Sequence, residues 1–301
     1  MRATDDERLA ALAASALAEL GTSAAAVTPA RSWLGYFDFA LGHDDNVALV
    51  DQSSLPATVS ASSSLRELLG YASRRFALRV PLRLDLSGYL VRYPDAAEFD
   101  QDSWRVDTAF EWSAGAWRIA AGPHVAVTTL DGDGFERSFG AALRATRSLN
   151  SRWSLESHFL YDDIDSPTAR FDYVKGTRER LRFGLEHRTA GGRVRVGYEL
   201  ESQDRASPSI SPERSRIAFN YARYLREHWS IDGTIAHRNS RYDDLLTPRR
   251  EQLREVTVIA RRELPSGWML NTEYRWANND ADVTQFGYRS RRVGLGVSRS
   301  F

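Results

Sequence analysis

Apolar and polar side chains alternate with a period of two residues through most of this chain, and that pattern limits what it can fold into more than any other feature. From Phe76 to Arg92, Leu78, Val80, Leu82, Leu84, Leu86 and Leu90 fall on one face of an extended segment. Arg79, Arg83, Asp85, Ser87 and Tyr89 fall on the other. Successive side chains of a strand point to opposite faces, so the segment predicts a strand with one greasy and one charged face. The next segment sets Trp104, Val106, Thr108, Phe110 and Trp112 against Arg105, Asp107 and Glu111. The one after sets Trp117, Ile119, Ala121, Val125 and Val127 against Arg118 and His124. Similar segments begin near Trp153, Leu181, Val194, Ile217, Trp229, Val256, Trp268 and Arg291, with weaker ones near Trp33, Leu65 and Phe139.

A soluble β-sandwich alternates in the same way, so the connections must separate the two architectures. Short links are expected at Ser73 to Arg75, Ser113 to Ala116, Leu149 to Arg152, Thr189 to Gly192, Arg226 to His228 and Leu264 to Gly267. Between them lie longer polar stretches: Gly42 to Ser64, Tyr93 to Asp102, Thr129 to Glu136, Asp162 to Arg178, Ser202 to Glu213, Arg238 to Arg250 and Ala277 to Phe286. Tight turns at one rim and long loops at the other are the arrangement of an outer-membrane barrel, with the turns periplasmic and the loops extracellular. The segments number about fourteen, an even count as single-chain bacterial barrels require. The fold expected is an all-β, antiparallel, up-and-down transmembrane barrel.

Composition agrees. Mean hydropathy is negative, and no run of about eighteen apolar residues could cross a bilayer as a helix. Yet there are 8 Trp, 12 Tyr and 13 Phe, and a barrel is polar on average because every second residue faces its lumen. The tryptophans sort by position. Trp33, Trp117, Trp153, Trp229 and Trp268 open strands and Trp112 closes one at the expected periplasmic rim, while Trp104 and Trp276 fall at the other. Amphipathic rings prefer the bilayer interface, so these eight are the expected membrane-interface belts, with outer-membrane lipid as the partner of the outer wall. The last segment alternates Val293, Leu295 and Val297 and stops on Phe301, which resembles the signal by which the barrel assembly machinery recognises its clients.

The N-terminus has a different period. Residues 1–30 offer Thr4 and Glu7 at capping-box spacing, then Leu9, Leu12, Leu17 and Leu20 on one helical face, then Gly21 as a stop. An amphipathic helix of about sixteen residues is expected there, as the end of a periplasmic helical domain, with the barrel occupying 31–301. A signal peptide is the rival reading, but Asp5, Asp6, Glu7 and Glu19 are poorly placed for one.

Several function classes are disfavoured by the residues themselves. The charges balance at 40 Lys+Arg against 40 Asp+Glu, which leaves no basic surplus to attract nucleic acid. The absence of Cys excludes disulfides and thiolate metal sites. No nucleophile elbow, zinc helix motif or phosphate-binding glycine loop is present, and the six His show no spacing that pairs them with an acid and a Ser, so no enzyme, cofactor or metal site is expected. Leu130 to Glu136 resembles part of a calcium loop but lacks the remaining ligands, and its Asp-Gly pairs favour a tight hairpin turn. The candidate lumen lining is Arg79, Arg83, Asp85, Arg105, Asp107, Glu111, Arg118, Glu156, Arg182, Glu186, Arg195, Glu199, Glu273 and Arg275. Both signs are mixed, which favours charge neutralisation across neighbouring strands over ion selectivity.

Three segments carry a family resemblance. Leu34-Gly35-Tyr36 leading to Gly42-His43-Asp44-Asp45-Asn46-Val47 resembles the first strand and loop of the barrel in surface lipoprotein assembly modifiers. Tyr274-Arg275-Trp276, Asn278-Asn279-Asp280 and Gly287-Tyr288 through Val293 to Phe301 resemble that family's closing hairpin. The N-terminal helix is similar to the end of its periplasmic tetratricopeptide domain. The resemblance implies a barrel of fourteen strands that assists export or surface display of lipoprotein or protein substrates. Related-looking barrels close exporters of extracellular polysaccharide, so a polysaccharide cargo is the second expectation, and a general porin or structural barrel the third.

Overall fold

The computed structural model describes residues 33–49, 62–226, 228–243 and 245–301. The helix expected within residues 1–30 lies outside the described residues. Fourteen strands follow one another: β1 (Trp33–Asp44), β2 (Ser63–Phe76), β3 (Leu82–Arg92), β4 (Gln101–Ala114), β5 (Trp117–Leu130), β6 (Asp133–Ser148) and β7 (Trp153–Asp165), then β8 (Gly176–Thr189), β9 (Gly192–Arg205), β10 (Glu213–Arg226), β11 (Trp229–Tyr242), β12 (Arg249–Glu263), β13 (Trp268–Ala281) and β14 (Tyr288–Ser300). Each pairs antiparallel with its sequence neighbours, and β1 pairs with β14 to close the barrel. In that seam Tyr36 lies opposite Ser300 and Asp44 opposite Arg292. Phe301 and Gly35 exchange two further backbone hydrogen bonds of 2.9 and 3.0 Å, so the ladder runs to the final residue.

Side-chain exposure follows the alternation. Along β10, Ile217, Phe219 and Tyr221 are 52%, 45% and 40% exposed, while Ala218, Asn220 and Ala222 between them are half-buried. Phe139, Ile235, Leu41 and Leu295 continue the same apolar outer surface around the cylinder. The interior is the inverse of a soluble core: among the described residues, buried polar and charged ones outnumber buried apolar ones. An outer wall this apolar suits contact with lipid and not with water.

Three sequence expectations need correction. The segment from Phe76 to Arg92 is two strand pieces, not one strand: β2 ends at Phe76 and β3 begins at Leu82, with residues 77–81 as the turn. Pro81 supplies no N–H to a ladder, and Leu78 and Val80 hide the break because they keep the phase of the strand that follows. Ser73 and Arg75, expected in the link, therefore belong to β2. The stretch from Thr129 to Glu136 is not a long loop; Asp131 (φ 54°) and Gly132 (φ 78°) make a two-residue hairpin, the left-handed pair that an Asp-Gly turn favours. Strands expected to begin near Leu181, Ile217 and Val256 begin at Gly176, Glu213 and Arg249. Their extra residues extend the hydrogen-bonded wall past the apolar belt, where polar side chains face outward and period-two hydropathy fades.

The closing seam is rich in glycine, and Gly42 shows why. It pairs with Gly294 across the seam, and a Cβ added at Gly42 would lie 2.2 Å from the Val293 carbonyl oxygen. That atom belongs to the ladder and cannot swing aside. Gly42→Ala is expected to lower stability by about 1–3 kcal/mol, read as an earlier midpoint for urea unfolding of the vesicle-reconstituted protein and partial loss of heat-modifiable migration on gels.

Candidate functional site

The lumen has two unlike walls. Beside β1–β3, inward Tyr36, Leu65, Leu69, Tyr71, Tyr89 and Val91 form a packed cluster with Val47, Tyr93 and Ala96 of the long-loop rim. Its polar tips are tied down: the Tyr71 hydroxyl donates to Asp85 at 2.9 Å, the Tyr89 hydroxyl donates to Glu67, and Glu67 also pairs with Arg292. This wall is filled with side chains.

From β3 to β10 the wall is ionic. Arg83 donates to Asp85 at 2.8 Å and to Glu111 at 2.9 Å. Arg105 pairs with Asp107 at 2.7 Å, and Glu156 receives both Arg144 at 2.9 Å and Arg195 at 3.0 Å. Arg180 and Arg214 converge on Glu201 at 2.6 and 2.8 Å, and Arg182 pairs with Glu199. Farther round, Arg275 pairs with Glu255 at 2.6 Å. Alternation explains the clustering, because each strand sends only its odd or its even positions inward and neighbouring strands place those positions opposite one another.

The interior pairs surround a cavity of about 230 Å³ lined by seven arginines (Arg83, Arg105, Arg144, Arg178, Arg180, Arg182 and Arg195) but only three carboxylates (Asp85, Asp107 and Glu156). Partners such as Asp162, Glu199 and Glu201 are absent from that lining. The cavity therefore presents guanidinium groups preferentially, although the wall as a whole is close to neutral.

Of the predicted lining residues, Arg83, Asp85, Arg105, Asp107, Glu111, Glu156, Arg182, Glu186, Arg195, Glu199, Glu273 and Arg275 occupy inward register positions. Glu186 is held by Arg188 at 2.6 Å near the short-turn rim. Arg118 has the inward register of His124 but is exposed at the mouth. Arg79 is a correction: it lies in the exposed turn 77–81, outside the lumen, because the strand that would have turned it inward stops at Phe76. Trp33, Trp117, Trp153, Trp229 and Trp268 open their strands and Trp112 lies near the end of β4, all at the short-turn rim; Trp104 and Trp276 lie towards the long-loop rim. Phe301 is exposed beside Gly35 at the short-turn rim.

Sequence reasoning missed the innermost ionic row. His124 on β5 and Asp162 on β7 are 2.5 Å apart with no side-chain exposure, and Asp162 also receives Arg178 through Nε at 2.9 Å and Nη2 at 2.8 Å. Register sets them in line, since His124 faces Gly140 and Gly140 faces Asp162. A Cβ on Gly140 would come within 2.7 Å of His124 Nε2 and 2.0 Å of the Tyr161 carbonyl. Only a residue without a side chain lets histidine and aspartate meet across the intervening strand. Closed to solvent on both sides, the pair braces the wall and cannot reach a substrate. Arg178, Arg180 and Glu201 share the parity of the predicted Arg182 and Glu199 and could have been found by extending those alternations. Among the described residues no group of three or more His, Cys, Asp or Glu could hold a metal.

A closed barrel of fourteen antiparallel strands with an apolar exterior and an ionic interior defines the class: this is a transmembrane β-barrel of the bacterial outer membrane. Solved structures of that class share its fold. The anion-selective porin from Comamonas acidovorans is similar at a TM-score of 0.53 and 9% identity, over 89% of this chain and 98% of that one. The CymD monoaromatic hydrocarbon channel is similar at a TM-score of 0.50 and 8% identity, over 89% of this chain and 88% of that one. No protein-family model matches the chain and no curated protein matches it, so the resemblance to surface lipoprotein assembly modifiers gains no support there.

Removing one member of a desolvated charge cluster strands the others, at a cost of about 3–5 kcal/mol. Asp162→Ala is therefore expected to shift urea unfolding in vesicles by an amount in that range. Glu213→Gln, which breaks the exposed Arg241 pair, is expected to leave the midpoint within error.

Proposed function

We propose that this protein is a narrow passive pore that favours small anions. The observation that supports it best is the mid-lumen cavity with its excess of arginine lining. A low-dielectric wall focuses the field of such groups on the solution between them, so anions concentrate there and cations are depleted. The tyrosine-rich cluster beside β1–β3 takes up part of the cross-section, which restricts passage to small solutes. The Comamonas porin named above as anion-selective makes the same behaviour reasonable for a barrel of this class.

Export of lipoprotein, protein or polysaccharide chains is the second reading, and it rests on the resemblance at the two ends of the barrel. An extended polymer would have to part the Arg144–Glu156–Arg195 and Arg83–Glu111 pairs, which is why the small-solute reading stands first. A tetratricopeptide segment encoded upstream, beside a lipoprotein gene, would favour export of lipoprotein; a neighbouring glycosyltransferase gene would favour polysaccharide.

Reconstitution in planar bilayers under a potassium chloride gradient tests the proposal. The reversal potential is expected to take the sign of chloride permeation, and a variant combining Arg144→Glu with Arg195→Glu is expected to reverse that sign. A closed lumen, or a reversal potential of cation sign in the unmodified protein, would contradict it.

A further inference from the structure

One cross-strand pair recurs around the short-turn rim. Trp33, Trp117, Trp229 and Trp268 are the first residues of β1, β5, β11 and β13. Each lies in register with an arginine of the following strand: Arg74, Arg147, Arg262 and Arg299 respectively. The guanidinium carbons stand over the indole rings at 4.9, 5.6, 5.5 and 5.4 Å from the centroids. β7 repeats the device with a different partner, Trp153 stacking on His187 at 4.3 Å. All four arginines are exposed, and strand alternation turns them to the outer face, away from the lumen.

The opposite rim solves the same problem in another way. There four outward arginines meet carboxylates: Arg92 with Asp102 at 2.6 Å, Arg137 with Asp165 at 3.0 Å, Arg241 with Glu213 at 2.6 Å and Arg254 with Asp280 at 3.5 Å. Among the described residues, none of the four tryptophan-seated arginines has a carboxylate partner or donates a side-chain hydrogen bond. Glu263, next to Arg262 in sequence, is turned to the other face of β12 by the same alternation. Carboxylates thus take up four of the outward cations at one rim, while the other rim displays cations seated on aromatic rings.

Seating matters chemically. A guanidinium over an aromatic face is attracted by the ring quadrupole. No hydrogen bond or ion pair to another described residue engages the N–H donors of these four arginines, and their fixed fork matches two oxygens of a phosphate. Tryptophan fixes the depth at the headgroup level of the bilayer, and the short turns mark that level as the periplasmic leaflet. A ligand reaching these arginines from the lipid side is a phospholipid headgroup. A zwitterionic headgroup carries its own ammonium into the same space, whereas an acidic one does not. We infer that the tryptophan-seated arginines form a ring of sites for the phosphate of acidic glycerophospholipids in the periplasmic leaflet. This inference depends on the barrel standing in the outer membrane and is independent of what its lumen conducts.

Selective fluorescence quenching tests it in the full chain. With Trp104, Trp112 and Trp276 changed to Phe, emission comes from the five strand-opening tryptophans. The protein is reconstituted in vesicles of phosphatidylcholine and phosphatidylglycerol, with one or the other lipid brominated on its acyl chain. Phosphatidylglycerol is expected to show a relative binding constant about fivefold above phosphatidylcholine at these sites, falling towards one in high salt. A variant carrying Arg74→Gln, Arg147→Gln, Arg262→Gln and Arg299→Gln is expected to lose the preference, and one carrying Arg92→Gln and Arg254→Gln at the other rim to keep it. Equal quenching by both lipids, or a preference that survives the fourfold change, overturns the inference. Should the fourfold variant not fold, the salt titration of its parent decides: a preference indifferent to salt overturns it equally.

Discussion

Everything in this molecule follows from the pairing of β1 with β14. Lipid offers no hydrogen bonds, so a sheet standing in a bilayer can have no free edge. The seam from Tyr36–Ser300 to Asp44–Arg292 removes both edges at once, and an even strand number brings the two ends of the barrel to the same rim. Once the ladder is closed, alternation has one consistent meaning all the way round: one parity meets hydrocarbon and the other meets the lumen. The high polarity of the sequence and its high aromatic content are two faces of that one wall.

Closure also dictates what the interior must be. Charged side chains sent inward from adjacent strands arrive within reach of one another, and the chain uses this to bury arginine and carboxylate together. Glu201 between Arg180 and Arg214, and Asp162 between His124 and Arg178, are held in this way. Such clusters contribute rigidity and geometric definition more than net stability, because desolvation offsets much of their attraction. Their unequal exposure gives the lumen its character. Where carboxylates retreat behind arginines, the cavity lining is rich in guanidinium groups; where tyrosines crowd in, the lumen is filled.

The fold was legible in the sequence because the bilayer enforces a pattern that side chains cannot disguise. Ile217-Ala218-Phe219-Asn220-Tyr221 reads as a lipid-facing strand without any further information. Trp117, Trp153, Trp229 and Trp268 mark strand starts because the interface draws indole rings to one depth. Legibility ended where the same physics relaxes. Residues 77–81 kept the phase of a strand through a proline turn, so two strands looked like one long one and Arg79 was assigned to a lumen it never enters. Beyond the hydrocarbon belt, Glu179 and Ser202 face outward next to the inward Arg180 and Glu201, and hydropathy no longer distinguishes the faces. The His124–Asp162 contact spans 38 residues and needs Gly140 between its partners. It is a property of sheet register, which no local spacing reveals.

The wall's two-sidedness can be measured directly because the chain contains no cysteine. Single cysteines introduced in turn at Ile217, Ala218, Phe219, Asn220 and Tyr221, each carrying a nitroxide, report collision with oxygen dissolved in lipid and with a water-soluble nickel chelate. A closed barrel in lipid predicts oxygen accessibility that peaks at 217, 219 and 221 and dips at 218 and 220. Uniform accessibility along the segment, or oxygen maxima at 218 and 220, would contradict the inside-out arrangement on which the account stands.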